Sequence, residues 1–278
     1  MKHLTAAAIL FSTCAFCGCT KLFFQPRGEL FADPADYGQR YEVIKFQSAD
    51  GTELTGMFFR PEGKAAGTVV HFHGNAQNMT AHFPYSSWLA AKGFNVFIFD
   101  YRGYGASGGS VSVSGAVEDG VAAIAQVKKI PGVDGGKVAV FGQSLGGAVG
   151  VASAARVTGE PVAALVLDST FYSYRGVASA LLLRHWWGWP LFWFPLVAVS
   201  DSFSPGDDIG RMNCPKLFLH SKSDPMVPFS QGEKLYAAAP EPKKFLPVPA
   251  GHAEAFTVFR DIYRPQMVEF LNAAFGKP

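Results

Sequence analysis

Six short apolar runs, separated mostly by helical patterns, constrain this chain more than any other feature. They are 67–72 (GTVVHF), 94–99 (FNVFIF), 137–141 (KVAVF), 162–167 (VAALVL), 216–220 (KLFLH) and 244–248 (KFLPV). Strands that are apolar without alternation suit a sheet covered on both faces. Strand–helix alternation makes such a sheet mostly parallel. Upstream, 41–47 and 52–59 read as a hairpin around the Asp50-Gly51 turn. Helices are expected near 80–92, 113–129, 145–157, 229–239 and 254–275. The expectation is therefore an α/β fold with a mostly parallel central sheet flanked by helices. The 278 residues, 49% hydrophobic and 17% charged, suffice for one large core. A net charge of +2 and the lack of any Lys/Arg block argue against a nucleic-acid partner.

One interval breaks the rhythm. Almost fifty residues separate the strand ending near Asp168 from the one beginning near Lys216, and an inserted cap is expected at about 170–210. It holds Trp186, Trp187, Trp189, Phe192, Trp193 and Phe194, and no acid, Lys or Arg occurs between His185 and Ser200. Pro190 and Pro195 interrupt it, so it does not read as a membrane-spanning helix. It reads either as aromatics packed onto the body or as a cap offering an apolar acyl-binding wall or a membrane-interface contact.

The first 18 residues have the shape of a secretory signal: Lys2 and His3 precede an apolar stretch from Leu4 to Phe16. The segment ends in Phe16-Cys17-Gly18-Cys19-Thr20, which resembles a bacterial lipobox with Cys19 as the lipidated residue. Phe16 stands where that motif usually has Leu. The expected location is the bacterial cell envelope, with the membrane as a partner through Cys19; a plain cleaved leader leaves the protein periplasmic or secreted. Residues 19–278 would then form one domain. Three of the four cysteines lie in the leader region, and Cys214 is expected to be buried at a strand start, so no disulfide framework is implied.

Two stretches match Gly-x-Ser-x-Gly: Gly142-Gln-Ser144-Leu-Gly146 and Gly105-Ala-Ser107-Gly-Gly109. A nucleophile presented on a tight turn needs a strand leading into the serine and a helix leaving it. Ser144 has both, in KVAVF before and LGGAVGVASAA after. Ser107 lies in a glycine-rich loop and has neither. That loop also spells Gly103-x-Gly105-x-x-Gly108, but no helix opens at its glycines and no acid closes a following strand, so a dinucleotide site is not supported.

A serine nucleophile needs a base, and the base needs a carboxylate to fix its tautomer. His252 in PAGHAEAF and Asp224 in HSKSDPMVP each follow a strand, so they can meet Ser144 at one edge of a parallel sheet. Asp168, also at a strand end, is the rival carboxylate. Oxyanion donors are expected from the backbone N–H of Leu145 and of Asn75, in VVHFHGNAQN. His71 and His73 form an H-x-H pair, but no further ligand or H-E-x-x-H motif accompanies them, so neither a metal nor another cofactor is expected.

The ordered set HGN, DYRGYGASGG, GQSLGG, SDPMVP and AGH resembles the α/β-hydrolase superfamily, within it the Bem46-like serine hydrolases, over roughly residues 40–275. The chain order Ser144, Asp224, His252 is the order of that fold. Two positions depart from the pattern: Ser221 stands where Gly is common, and Ala253 where Asn is frequent. The resemblance implies hydrolysis of an ester, thioester or related acyl substrate through an acyl-enzyme. A lipid-anchored binding or scaffolding protein that keeps the fold without turnover is the alternative.

Overall fold

Every expected apolar run becomes a strand of one eight-stranded sheet in the computed structural model, which describes residues 23–184 and 186–276. In chain order the strands are β1 (Glu42–Gln47), β2 (Glu53–Phe59), β3 (Thr68–Phe72), β4 (Asn95–Phe99), β5 (Val138–Gln143), β6 (Ala164–Asp168), β7 (Lys216–Ser221) and β8 (Lys243–Val248). Across the sheet they run β8-β7-β6-β5-β3-β4-β2-β1. The hairpin β1–β2 is antiparallel, as is the β2–β4 pair, and every other pairing is parallel. The leader and Cys19 lie outside the described residues.

The principal helices are α1 (Val113–Val127), α2 (Leu145–Ala154), α3 (Tyr174–Leu183), α4 (Phe194–Ala198), α5 (Phe229–Ala238) and α6 (Arg260–Ala274). Successive side chains of a strand point to opposite faces, and here both faces are covered. Val70, Phe72, Val140 and Leu165 share one core with Val117 and Ile124 of α1 and Val149 of α2. Val69, Phe141, Val166 and Leu217 share the other with Tyr263, Met267 and Leu271 of α6. Two-sided burial is the physical reason these strands carry no polar alternation. Each fully buried aliphatic or Phe side chain contributes about 1.5–3 kcal/mol.

The expected helix over 80–92 does not form as one piece. Its place is taken by a four-residue helical turn, Met79–His82, and two 3-10 segments, Phe83–Tyr85 and Ser87–Lys92. Pro84 lacks the N–H that a continuous helix requires there. The last helix begins at Arg260 rather than 254, because residues 249–259 are spent on the turn that carries His252. Cys214 is half-buried, two residues before β7, not fully buried at its start.

Between β6 and β7 the chain leaves the sheet through α3, a 3-10 segment at Trp186–Leu191, α4 and a helical turn at Pro205–Asp208. Tyr174 and Val177 of α3 are buried against the body. The outer face is apolar and open to solvent: Trp186 is 81% exposed, Trp189 65% and Phe192 60%, with Trp193, Phe194, Leu196 and Val197 also exposed. Among the described residues no helix is long and apolar enough to cross a membrane.

Candidate active site

The carboxyl ends of β5, β6, β7 and β8 bring the expected residues to one edge. Ser144 joins β5 directly to α2 with φ +52° and ψ −117°, a backbone region that non-glycine residues rarely occupy. Such strain is held only where surrounding contacts over-determine it. Here the Ser144 N–H donates to the Asp168 carbonyl at 2.8 Å, and the Ser144 carbonyl accepts from Gly147 N–H at 3.0 Å. The flanking glycines are required by space. A Cβ at Gly142 would lie 2.4 Å from the Gly147 Cα, and one at Gly146 would lie 2.0 Å from the Phe72 carbonyl oxygen. The turn is thus wedged against the end of β3, beside the loop that carries Asn75.

Ser107, the other candidate, is occupied structurally. Its hydroxyl donates to the Asp100 carbonyl at 2.8 Å and accepts from the Thr55 N–H at 3.0 Å.

Asp224 lies in the loop after β7, in a turn that it closes itself. One oxygen, Oδ1, accepts from the N–H groups of Met226 and Val227, each at 2.8 Å. The other, Oδ2, is 2.8 Å from Nδ1 of His252. Burial pushes the Asp224 carboxyl up, but the hydrogen bond and charge of His252 and the two backbone donors outweigh it, leaving the acid below its ordinary range. His220, at the end of β7, backs this loop: its Nε2 lies 3.0 Å from the Val227 carbonyl and 3.5 Å from Asp224 Oδ2. Burial lowers the His220 pKa and favours a neutral ring there.

His252 is partly open to solvent, its side chain 22% exposed, in the turn after β8. That turn is fastened to the end of β6 through Ala253, whose N–H donates to Ser169 Oγ at 2.9 Å. Ser144, Ser169 and Ala253 all hold positive φ, at +52°, +55° and +55°. Three strained residues thus converge at the ends of β5, β6 and β8, a concentration typical of functional sites. Among the described residues no hydrogen bond joins Ser144 Oγ to the imidazole; such bonds often close only when substrate is bound.

The rival carboxylate, Asp168, is fully buried and accepts from Ser169 Oγ at 3.2 Å through Oδ1, while Oδ2 has no partner among the described residues. Burial raises its pKa to about 7; the charges of Asp224 and Glu254 add to the shift, and His252 and the Ser169 hydroxyl oppose it. The carboxylate bonded to His252 is Asp224, not Asp168.

Around the expected oxyanion donors the backbone is held tightly. Leu145 opens α2, so its N–H has no intrahelical acceptor. The Gly74–Asn75 peptide carries the Asn75 N–H on one side, and on the other the Gly74 carbonyl, which lies 2.8 Å from His73 Nδ1. His71 is bonded on both ring nitrogens, to Ser86 Oγ and to Gln143 Oε1, each at 2.8 Å. Burial holds its pKa well below the ordinary histidine value. Both histidines of the H-x-H pair are thereby engaged as framework. Among the described residues no cluster of three His, Cys, Asp or Glu side chains could hold a metal ion. The Gln143 tether, which links the Ser144 turn to β3, had no sequence signal beyond a polar residue inside an apolar run.

The serine turn, the acid loop and the histidine turn at the ends of a β8-β7-β6-β5-β3-β4-β2-β1 sheet define an α/β-hydrolase fold. A family model described as serine aminopeptidase, S33, matches residues 63–202. The Escherichia coli (strain K12) protein YfhR, described as uncharacterized, is 38% identical over 242 residues, covering 84% of this chain and 82% of its own length. The Arabidopsis thaliana alpha/beta hydrolase domain-containing protein WAV2 is 33% identical over 250 residues, covering 86% and 81%. The Pyrococcus furiosus esterase Pf2001 superposes with a TM-score of 0.74 at 20% identity, covering 90% of this chain and 98% of its own. The chain belongs to the α/β-hydrolase superfamily, in the serine aminopeptidase S33 family, and is a hydrolase.

Proposed function

We propose that this hydrolase is a serine hydrolase that cleaves an ester, thioester or related acyl bond through an acyl-enzyme intermediate. The observation that carries the reading is the Asp224–His252 hydrogen bond of 2.8 Å at the sheet edge where Ser144 is presented on its strained turn. Asp224 holds the Nδ1–H tautomer, which leaves Nε2 free to take the Ser144 proton as Oγ attacks the acyl carbonyl. The N–H groups of Asn75 and Leu145 receive the developing oxyanion. The protonated His252 passes its proton to the leaving alkoxide or thiolate. Water, deprotonated by the same ring, then releases the acyl group as a carboxylic acid and restores Ser144. The segment between β6 and β7 serves as a cap whose apolar side chains meet the acyl chain.

Labelling with a fluorophosphonate, which forms a stable adduct on activated serines, tests the assignment. Label that is lost in Ser144→Ala and kept in Ser107→Ala supports it, and an unlabelled wild type points to a non-catalytic binder. A chain-length series of p-nitrophenyl esters, run beside an aminoacyl p-nitroanilide, then separates ester from peptide chemistry.

The cell-envelope location and the lipid anchor belong to the same proposal and rest on the Cys17-Gly18-Cys19 sequence after an apolar leader. Two or more acyl chains on Cys19 suffice for stable membrane attachment where one does not. Mass spectrometry of the mature N-terminus in a bacterial host decides this: an acylated Cys19 is expected, and an unmodified first residue rejects it.

A further inference from the structure

The first described residues, 23–31, are not a loose lead-in to the fold. Phe23 and Phe24 are 7% and 1% exposed. The Phe23 ring meets Tyr174, the first residue of α3, edge-on at 5.0 Å. The next residues lie along the loop that carries Asn75: Gln25 pairs with Ala76 and Pro26 with Gln77 as a short parallel ladder. Gln25 N–H donates to the Asn75 carbonyl at 2.9 Å, and Arg27 N–H to the Gln77 carbonyl at 3.2 Å. From the loop side, Asn78 Nδ2 donates to the carbonyls of Arg27 and Glu29, at 3.0 and 2.8 Å. The Tyr104 hydroxyl completes the grip, donating to the same Asn75 carbonyl at 2.6 Å.

These contacts fall on one residue in a particular way. The peptide before the Asn75 Cα is fixed through the Gly74 carbonyl by His73, and the peptide after it is fixed through the Asn75 carbonyl by Gln25 and Tyr104. With both planes set, the direction of the Asn75 N–H is set as well, since planar peptides leave only φ and ψ free. Gln77, held at φ +64°, shows that the loop is kept away from a relaxed course. A preorganised donor stabilises a transition-state oxyanion because it need not reorient as charge develops.

We propose that residues 23–31 form a positioning strap for the oxyanion donor, in which the Gln25 N–H and the Tyr104 hydroxyl clamp the Asn75 carbonyl and so aim the Asn75 N–H. This rests on the serine-hydrolase reading above, in which that N–H receives the oxyanion. The strap touches no reacting atom. It acts through the loop, and its loss falls on the transition state rather than on substrate binding.

The test uses kcat and KM for p-nitrophenyl butyrate, the inhibition constant of an alkyl boronic acid that forms a tetrahedral adduct on serine, and the melting temperature. Gln25→Pro removes the N–H at the ladder, whereas Gln25→Ala keeps it; Tyr104→Phe removes the second donor. Gln25→Pro and Tyr104→Phe are expected to lower kcat about ten-fold each with KM within about two-fold, and to weaken the boronate by the same factor. The pH profile of kcat stays unmoved, because Asp224 and His252 are untouched, and Gln25→Ala restores wild-type values. Equal behaviour of Gln25→Pro and Gln25→Ala, or losses confined to KM, overturns the proposal. Should Gln25→Pro fail to fold, Tyr104→Phe decides by the same criteria. A fully active Ser144→Ala would instead overturn the parent reading, so the two failures are separable.

Discussion

Asp224 divides its two carboxylate oxygens between its own loop and a histidine: Oδ1 closes the loop on Met226 and Val227, and Oδ2 faces Nδ1 of His252 at 2.8 Å. An acid at a strand end is often a turn former or a catalytic partner, and the proposed function gives this one side chain both tasks. Replacing it with Asn preserves much of the turn, because an amide oxygen still accepts, but favours the wrong histidine tautomer. Asp224→Asn is expected to stay folded and to lose about 10³–10⁴-fold in kcat on p-nitrophenyl esters. Asp168→Asn is expected to stay within about ten-fold of wild type. A reversal of the two, in steady-state kinetics with matched circular dichroism, would move the acid role to Asp168.

Asp168 gives a pH dependence of a different kind. Its folded pKa of about 7 lies above the value of about 3.9 for an unfolded aspartate. The native state therefore binds more protons across that window. The stability gained is complete below about pH 4 and is lost as pH rises through about 7. Asp168→Asn keeps a neutral group at every pH and removes this loss. Urea unfolding at pH 4.5 and pH 8 should show the variant gaining on wild type at the higher pH, by an amount on the order of a few kcal/mol. A difference that does not change with pH would show that the carboxyl is ionised when buried.

The wedge of the serine turn against β3 predicts a steep packing penalty. Gly146→Ala puts a methyl 2.0 Å from the Phe72 carbonyl and 2.4 Å from that of His73, both backbone atoms that cannot swing away. A loss of about 3 kcal/mol or more is expected in urea unfolding, together with loss of fluorophosphonate labelling. Gly28→Ala, with nothing among the described residues within 4 Å of the added methyl, serves as the control and should change stability by less than about 0.5 kcal/mol. Equal stability of the two variants would contradict the close packing of residues 72–73 on 146.

The exposed aromatics between β6 and β7 give a prediction that separates function from folding. Trp186 and Phe192 lie largely in solvent, so Trp186→Ser with Phe192→Ser should leave the melting temperature within a few degrees. If the cap receives the acyl chain, the pair lowers kcat/KM for p-nitrophenyl laurate at least ten-fold more than for the acetate. A uniform change across chain lengths would detach these residues from acyl recognition.

The sheet and the serine turn were legible in the sequence because local rules and global burial agree there. Short continuous apolar runs suit strands buried on both faces, as the central ones are, while the edge strand β8 stays half-open, and Ser144 was separable from Ser107 because a strand leads into one and a loop surrounds the other. The pairing of Asp224 with His252 was legible as strand-end positions in the right order. The 80–92 region misled because apolar spacing there looked helical while Pro84 denied the needed donor. The strap was invisible for another reason: its contacts are backbone N–H and carbonyl groups, carried by nearly every residue, between segments some fifty positions apart. The same holds for the Ala253–Ser169 bridge, whose donor is a main-chain amide.

The seat of Phe23 on Tyr174 limits how far this molecule could stray from whatever holds its beginning. Residue 19 lies four positions upstream of Phe23, and covalent geometry keeps it within about 14 Å of that residue's backbone. Were Cys19 to carry acyl chains, the foot of α3 would be moored at the lipid headgroups. The enzyme would then graze on what the nearest leaflet or its surface offers, and removing such an anchor would change which substrates it meets without altering how it cuts them.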